Sequence, residues 1–160
     1  MPHPMTDEQA QFVERMGTLI ADRDKPRIAG RIMGWLLICE PPYQSFNQLV
    51  EVLGVSKGSI SGVTRQMADL GLIERYVVRG ERTTYFRIAP DAWIRLLYSE
   101  LEAVRQFAAA ADEGLAVAER ERPDDNHWRL RDMRNLNRLA ASQLPTLIEA
   151  FERSREEPPV

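Results

Sequence analysis

The stretch SFNQLVEVLGVSKGSISGVTRQMADLGLIERYVVRGERTTYFRI, residues 45–88, decides the fold. Ser45 is placed to cap a short helix, Phe46–Leu53, that gathers Phe46, Leu49, Val50 and Leu53 on one side. Gly54 ends that helix, Val55 is the buried residue of a tight turn, and Ser56 caps the next helix. The second helix is expected over Lys57–Leu70, closing at Gly71. Tyr76–Val78 and Thr83–Ile88 are rich in β-branched and aromatic residues and flank a polar connection, which predicts a hairpin. Helix, tight turn, helix, two-stranded hairpin is the order of a winged helix-turn-helix.

Helical geometry tests the second helix of the pair. At 100° per residue, Ile60, Val63, Thr64, Met67 and Leu70 cluster on a core-facing side. Gly58, Ser61, Gly62 and Arg65 lie opposite, with Asp69 further along. Mid-helix glycine is destabilising, and an ordinary solvent face carries Glu, Lys or Ala instead. Small residues here let the backbone sink into a DNA major groove about 12 Å wide. Ser61 then meets a base edge or phosphate, and Arg65 donates to guanine or phosphate, while Ser56, Lys57 and Ser59 at the helix start suit phosphate. A poor helix kept glycine-rich for packing is the competing explanation. At the hairpin tip Arg79 and Arg82 flank Gly80, which suits a backbone or minor-groove contact. Arg75 and Arg87 fit the sugar–phosphate rail and salt bridges to Glu74 and Glu81 about equally.

Upstream, Thr6-Asp-Glu-Gln9 has the form of a capping box, and Phe12, Met16, Leu19 and Ile20 share one face of the helix that follows. Pro26 suits the first turn of a further helix over Arg27–Ile38, which stops at Pro41-Pro42. Gly30 and Gly34 sit one turn apart in it. Each costs about 1 kcal/mol relative to Ala, which points to a second helix in close approach, with a loose, low-stability helix as the alternative.

Downstream of Asp91 the pattern changes. Ile94, Leu97, Leu101, Val104, Ala108, Ala111, Leu115 and Ala118 alternate in steps of three and four, a heptad seam. A helix from Ala92 to Arg120 is roughly 40 Å long, too long to lie along a small domain. Pro123-Asp-Asp breaks it. A second long helix is expected from about Asn126 to Arg155, with a kink at Pro145. The alanine layers make the seam thin. A dimer interface is therefore expected to be completed by Leu136, Leu144, Leu147 and Phe151, alongside Phe12 and Met16. Residues 1–90 read as a DNA-binding domain and 91–160 as a helical dimerisation and regulatory arm, a mainly α architecture with one small β-wing.

Composition narrows the class. A chain of 160 residues with 44% hydrophobic and 28% charged residues has enough apolar content to bury a core without metals. A single Cys excludes an internal disulfide and fits a reducing cytoplasm. The longest apolar run, Ile32–Cys39, is too short to span a bilayer, and no signal peptide is visible, so no membrane partner is expected and the location is cytoplasmic. The net charge of −3 argues against nucleic acid, but its distribution argues for it. Residues 54–88 carry six basic and three acidic side chains, so the remainder of the chain carries −6.

Other features carry less. Cys39 ends an apolar helix with only Glu40 beside it, so buried packing outweighs oxidant sensing. His3 and His127 have no companions at ligand spacing. No nucleophile motif, phosphate loop or carboxylate dyad appears, so neither an enzyme nor a cofactor is expected. Trp35, Tyr43, Trp93, Tyr98 and Trp128 suit a core better than an aromatic box for a quaternary ammonium effector.

The motifs at 30–37 (GRIMGWLL), 53–61 (LGVSKGSIS), 70–73 (LGLI) and 80–86 (GERTTYF) resemble the GbsR branch of the MarR-type regulators. The resemblance covers about residues 6–90; beyond Asp91 it is one of helix layout alone. It implies a homodimer presenting two winged helices to a pseudo-palindrome in double-stranded DNA, usually as a repressor, with a small-molecule effector it does not identify. A winged helix that docks protein partners without reading DNA is the alternative, and the two arginines at the wing tip speak against it.

Overall fold

The computed structural model describes residues 5–23 and 25–156, the side chain of Glu156 excepted. Local capping chemistry fixes where its helices begin. Thr6 and Gln9 close a reciprocal capping box, with the Gln9 N–H on Thr6 Oγ1 at 3.2 Å and the Thr6 N–H on Gln9 Oε1 at 3.0 Å. It opens α1, Asp7–Ala21. Helix α2, Arg27–Ile38, crosses α1 at its glycines. A Cβ on Gly30 would lie 2.3 Å from the Met16 carbonyl oxygen, and one on Gly34 would lie 3.0 Å from Met16 Cβ. The close approach inferred from the glycine pair is therefore that of α1.

The crossing also corrects the face expected for α1. Val13 and Gly17 are buried and Met16 and Ile20 half-buried, whereas Phe12 and Leu19 are exposed. Drawing the Gly17 edge onto α2 rotates Phe12 and Leu19 outward.

The next helices follow from the same rules. Ser45 caps α3, Phe46–Leu53, in a second capping box with Gln48. Gly54 takes a left-handed φ of 61°, and Ser56 caps α4, Lys57–Asp69. Helix α4 ends one residue early: Leu70 is its C-cap and is 55% exposed, while Leu72 and Ile73 enter the core in its place. That core is built on Val13, Ile32, Leu36, Leu49, Leu53, Ile60, Met67 and Ile73.

Three antiparallel strands complete the first unit: β1 (Gln44–Ser45), β2 (Ile73–Val77) and β3 (Thr84–Ile88), in the order β1-β3-β2. The first strand of the hairpin begins at Ile73, three residues before the expected Tyr76, and ends at Val77. Its register, Ile73 opposite Ile88, Glu74 opposite Arg87 and Arg75 opposite Phe86, places Glu74 and Arg75 in the ladder rather than in a loop and makes Glu74 the cross-strand partner of Arg87. The two-residue β1, missed in the sequence because Ser45 reads only as a cap, pairs with β3 at Phe86 and Tyr85.

The chain divides into two compact units, Met1–Ala92 and Trp93–Val160. The second holds α5, Ala92–Glu121, and α6, Trp128–Glu156, with Pro145 inside the latter. The heptad seam of α5 finds its partner within the chain. Ile94, Leu101 and Val104 form a core with Ile148, backed by Leu97, Ala140, Ala141, Leu144 and Phe151. Ion pairs run down the hairpin from Glu119–Arg131 at 3.3 Å to Asp112–Arg138 at 2.6 Å. The seam, Leu144 and Phe151 thus pack in an antiparallel helical hairpin within the chain, Leu144 and Phe151 remaining half-buried. On α6 the outward leucines are Leu136, Leu139 and Leu147.

Candidate nucleic-acid interface

Ser56, Lys57, Gly58, Ser59, Ser61, Gly62 and Arg65 are all exposed, while Ile60, Val63, Thr64 and Met67 of the same helix are buried. The buried Thr64 hydroxyl donates to the Ile60 carbonyl at 2.8 Å and so leaves no polar group unsatisfied beneath the stripe. Packing does not explain the two glycines. A Cβ on Gly62 would meet nothing within 4 Å, and one on Gly58 would meet only Ser56 Oγ at 3.9 Å. At the helix start Ser56 Oγ accepts the Ser59 N–H at 3.2 Å and lies 2.8 Å from Ser59 Oγ, which draws those two hydroxyls together.

The hairpin tip turns at Gly80, φ 89°, with the Glu81 N–H on the Val78 carbonyl at 3.0 Å. Arg79 and Arg82 are exposed on either side of it. The Tyr85 hydroxyl donates to the Glu81 carboxylate, and that bond raises the tyrosine's pKa above its ordinary value. Glu81 is therefore occupied by Tyr85 and not by a tip arginine. The side chains of Lys57, Arg65, Arg79 and Arg82 make no hydrogen bond or ion pair among the described residues. No such bond joins the α4 stripe to the tip either.

Arg87 is different. Its Nε donates to Glu74 at 2.6 Å and its guanidinium lies 4.2 Å from the Tyr76 ring centre. Of the two roles open to it in the sequence, the structure builds the salt bridge. Tyr43 packs against Tyr76 and Tyr85, each at 5.0 Å between ring centres, and braces the foot of the wing.

The remaining candidates settle as follows. Burial pushes the Cys39 thiol up to about 11, with a smaller contribution from Glu40, so it is a protonated packing residue at neutral pH. Trp35 is buried, but Trp93, Tyr98 and Trp128 are exposed on the arm, which corrects their assignment to a core. Among the described residues no group of three His, Cys, Asp or Glu is placed to hold a metal ion; His3 lies outside those residues. His127 is buried, with Nδ1 3.7 Å from Asp125. No helix among the described residues is long and apolar enough to cross a membrane.

Sequence reasoning missed one cluster. Glu14 of α1 bridges Arg27 at 2.8 Å and Arg31 at 2.7 Å on α2. These side chains line a cleft of about 380 Å³ with Ile28, Val55 and Ser59. The available signal was Arg31 itself, a lone charge within the apolar run of α2.

A capped helix with a small and basic outer stripe, followed by an arginine-tipped hairpin, defines a winged helix-turn-helix DNA-binding protein. The comparisons narrow that class. The sequence model of the MmpR5-like MarR family transcriptional regulators matches residues 91–155. The HTH-type transcriptional regulator MmpR5 of Mycobacterium tuberculosis is 40% identical over 126 residues, 79% of this chain and 76% of that protein. The putative HTH-type transcriptional regulator YvaV of Bacillus subtilis is 29% identical over 86 residues, about half of either chain. A crystal structure of a transcriptional regulator matches with a TM-score of 0.77 at 34% identity, over 91% of this chain and 99% of that one. The chain belongs to the MmpR5-like MarR family of transcriptional regulators and is not an enzyme. The arm, where the residues by themselves offered only a helix layout, is the segment that the family's sequence model matches.

Proposed function

We propose that this regulator is a cytoplasmic homodimeric repressor that reads a pseudo-palindromic operator in double-stranded DNA. Ser56, Lys57 and Ser59 hold phosphate, Ser61 and Arg65 read base edges where Gly58 and Gly62 admit the helix, and Arg79 and Arg82 grip the flanking backbone. Residues 1–90 form the reading domain and residues 91–160 the dimerising and regulatory arm. A small-molecule effector alters the separation of the two recognition helices, which engage successive grooves only near one DNA turn, about 34 Å, or a multiple of it.

The observation that carries this reading is the outer stripe of α4. Its glycines have open space above them, and its cations have no protein partner among the described residues. Support for the dimer comes from Leu136, Leu139 and Leu147, which leave an apolar face on α6 with no cover inside the arm. The decisive experiment is selection of duplex DNA from random sequence by the full chain. Two half-sites in inverted repeat, spaced by about one helical turn, are expected. Recovery of no enriched sequence refutes the reading.

A further inference from the structure

Arg31 joins three helices. It leaves α2 beside Gly17 of α1, where a Cβ would come within 2.8 Å of Arg31 Cγ, so glycine there gives its stem room to cross without shifting. Its Nε lies 2.7 Å from Glu14 Oε1 on α1. Its Nη2 donates to the carbonyl of Leu53, the last residue of α3, at 2.9 Å. The final carbonyls of a helix lack partners within it and form the negative end of its dipole. A guanidinium supplies a donor and a positive charge together: Nη2 makes the hydrogen bond to Leu53, while Nε, without hydrogen-bond geometry, is held to Glu14 as an ion pair.

Leu53 stands immediately before the Gly54–Val55–Ser56 turn that launches α4. Val55 and Ser59, on the far side of that turn, line the same cleft as Glu14 and Arg31. We infer that Arg31, held by Glu14, is the positioning residue of the reading head, fixing the direction in which α4 leaves the turn relative to α1. The side chain is 21% exposed, so it acts through the Leu53 carbonyl rather than from the outer stripe. Recognition tolerates little error in placement, because a base contact needs donor and acceptor within hydrogen-bond range. Non-specific binding depends on phosphate charge and is far more forgiving. Loss of Arg31 therefore lowers selectivity before it lowers general affinity.

This inference rests on the DNA-reading function proposed above, and the test separates the two. Wild-type chain, Arg31→Met, Arg31→Lys and Glu14→Gln are each titrated with the selected duplex and with a scrambled duplex across a salt series. Thermal midpoints are recorded alongside. Absence of preference in the wild type refutes the DNA-reading function itself. Given that preference, Arg31→Met, which keeps the stem over Gly17, is expected to bind the selected duplex about tenfold more weakly, the scale of one lost base contact. Its affinity for scrambled DNA and its salt slope stay as in the wild type. Arg31→Lys restores part of the selectivity, and Glu14→Gln shows a smaller loss in the same direction. The Glu14 variant keeps the question open to test should Arg31→Met fold poorly. Equal loss on both duplexes with a flatter salt slope makes Arg31 a phosphate ligand and overturns the inference. So do lowered midpoints with selectivity intact, or no change at all.

Discussion

Helices α4 and α6 each turn a side outward, and the two sides have opposite chemistry. That of α4 is Gly58, Ser61, Gly62 and Arg65; that of α6 is Leu136, Leu139 and Leu147. Covering one exposed leucine is worth about 1.5–3 kcal/mol, so the α6 face gains most from another apolar surface. The α4 stripe has almost no apolar area to cover. A partner on it would be held by charge, hydrogen bonds and close backbone approach, the terms that dominate in a DNA groove. Exposure alone does not distinguish the two helices. The residues exposed do, and they support the proposal of one face for nucleic acid and the other for protein.

The comparison breaks most visibly at α6. Leu136→Glu with Leu147→Glu changes two residues that are more than half exposed, so the arm's own core of Ile94, Leu101, Val104 and Ile148 stays intact. Sedimentation is expected to show a monomer with unchanged helix content. Affinity for the full operator falls about 100-fold or more, because two half-sites are no longer coupled. A dimer that survives both charges places the interface elsewhere. Truncation after Arg120 is a blunter experiment, since it also strips the cover from the α5 seam.

On α4 the sharpest test is Gly62→Leu. Nothing lies within 4 Å of the new Cβ and the position is exposed, so the fold is expected to accept the side chain. Removing a mid-helix glycine is expected to raise stability by about 0.5–1 kcal/mol. DNA binding moves the other way, at least tenfold weaker, because the added bulk keeps the backbone out of the groove. Thermal melts and titrations on the same preparation read both signs. A variant that is more stable and binds DNA as before shows that the stripe never enters a groove.

Arg65→Ala has a smaller expected effect and a more specific one. Affinity for the selected site is expected to drop by about 1–3 kcal/mol, with scrambled DNA little affected. Equal loss on every sequence makes Arg65 a phosphate clamp rather than a base reader.

Much of this contrast was legible in the sequence because it is local. Thr6, Ser45 and Ser56 announce helix starts through bonds three residues long, and Gly54 and Gly71 mark turns by their left-handed φ. Gly30 and Gly34 predicted a close helix crossing without saying which edge of α1 would occupy it; Val13 and Gly17 do, which leaves Phe12 and Leu19 of the shared apolar face exposed. The heptad seam of α5 specified a partner helix but not whose, since spacing carries no information about chain identity; the return of α6 decides it. Strand β2 began earlier than its residue types suggested because Glu74 is satisfied across the sheet by Arg87, a contact thirteen positions away. Arg31 was hidden for the same reason: its partners, Glu14 and Leu53, are distant in sequence.

The wing tip tests the comparison at its weakest point, where exposure and charge stand alone without a small-residue stripe. Glu81 is bonded to Tyr85 and forms no ion pair with Arg79 or Arg82 among the described residues. Both guanidiniums are exposed beside a glycine turn that can approach a phosphate closely. Each phosphate contact releases counterions and contributes about 0.9 to the slope of log K against log salt on duplex DNA. Arg79→Ala and Arg82→Ala are each expected to flatten that slope by about one unit, and the double variant by about two. The loss is the same on selected and scrambled duplexes, because phosphate contacts carry no sequence information. That uniformity is what separates the tip from Arg65. A slope unchanged in all three variants means the wing stands clear of the DNA, leaving α4 as the sole reading surface.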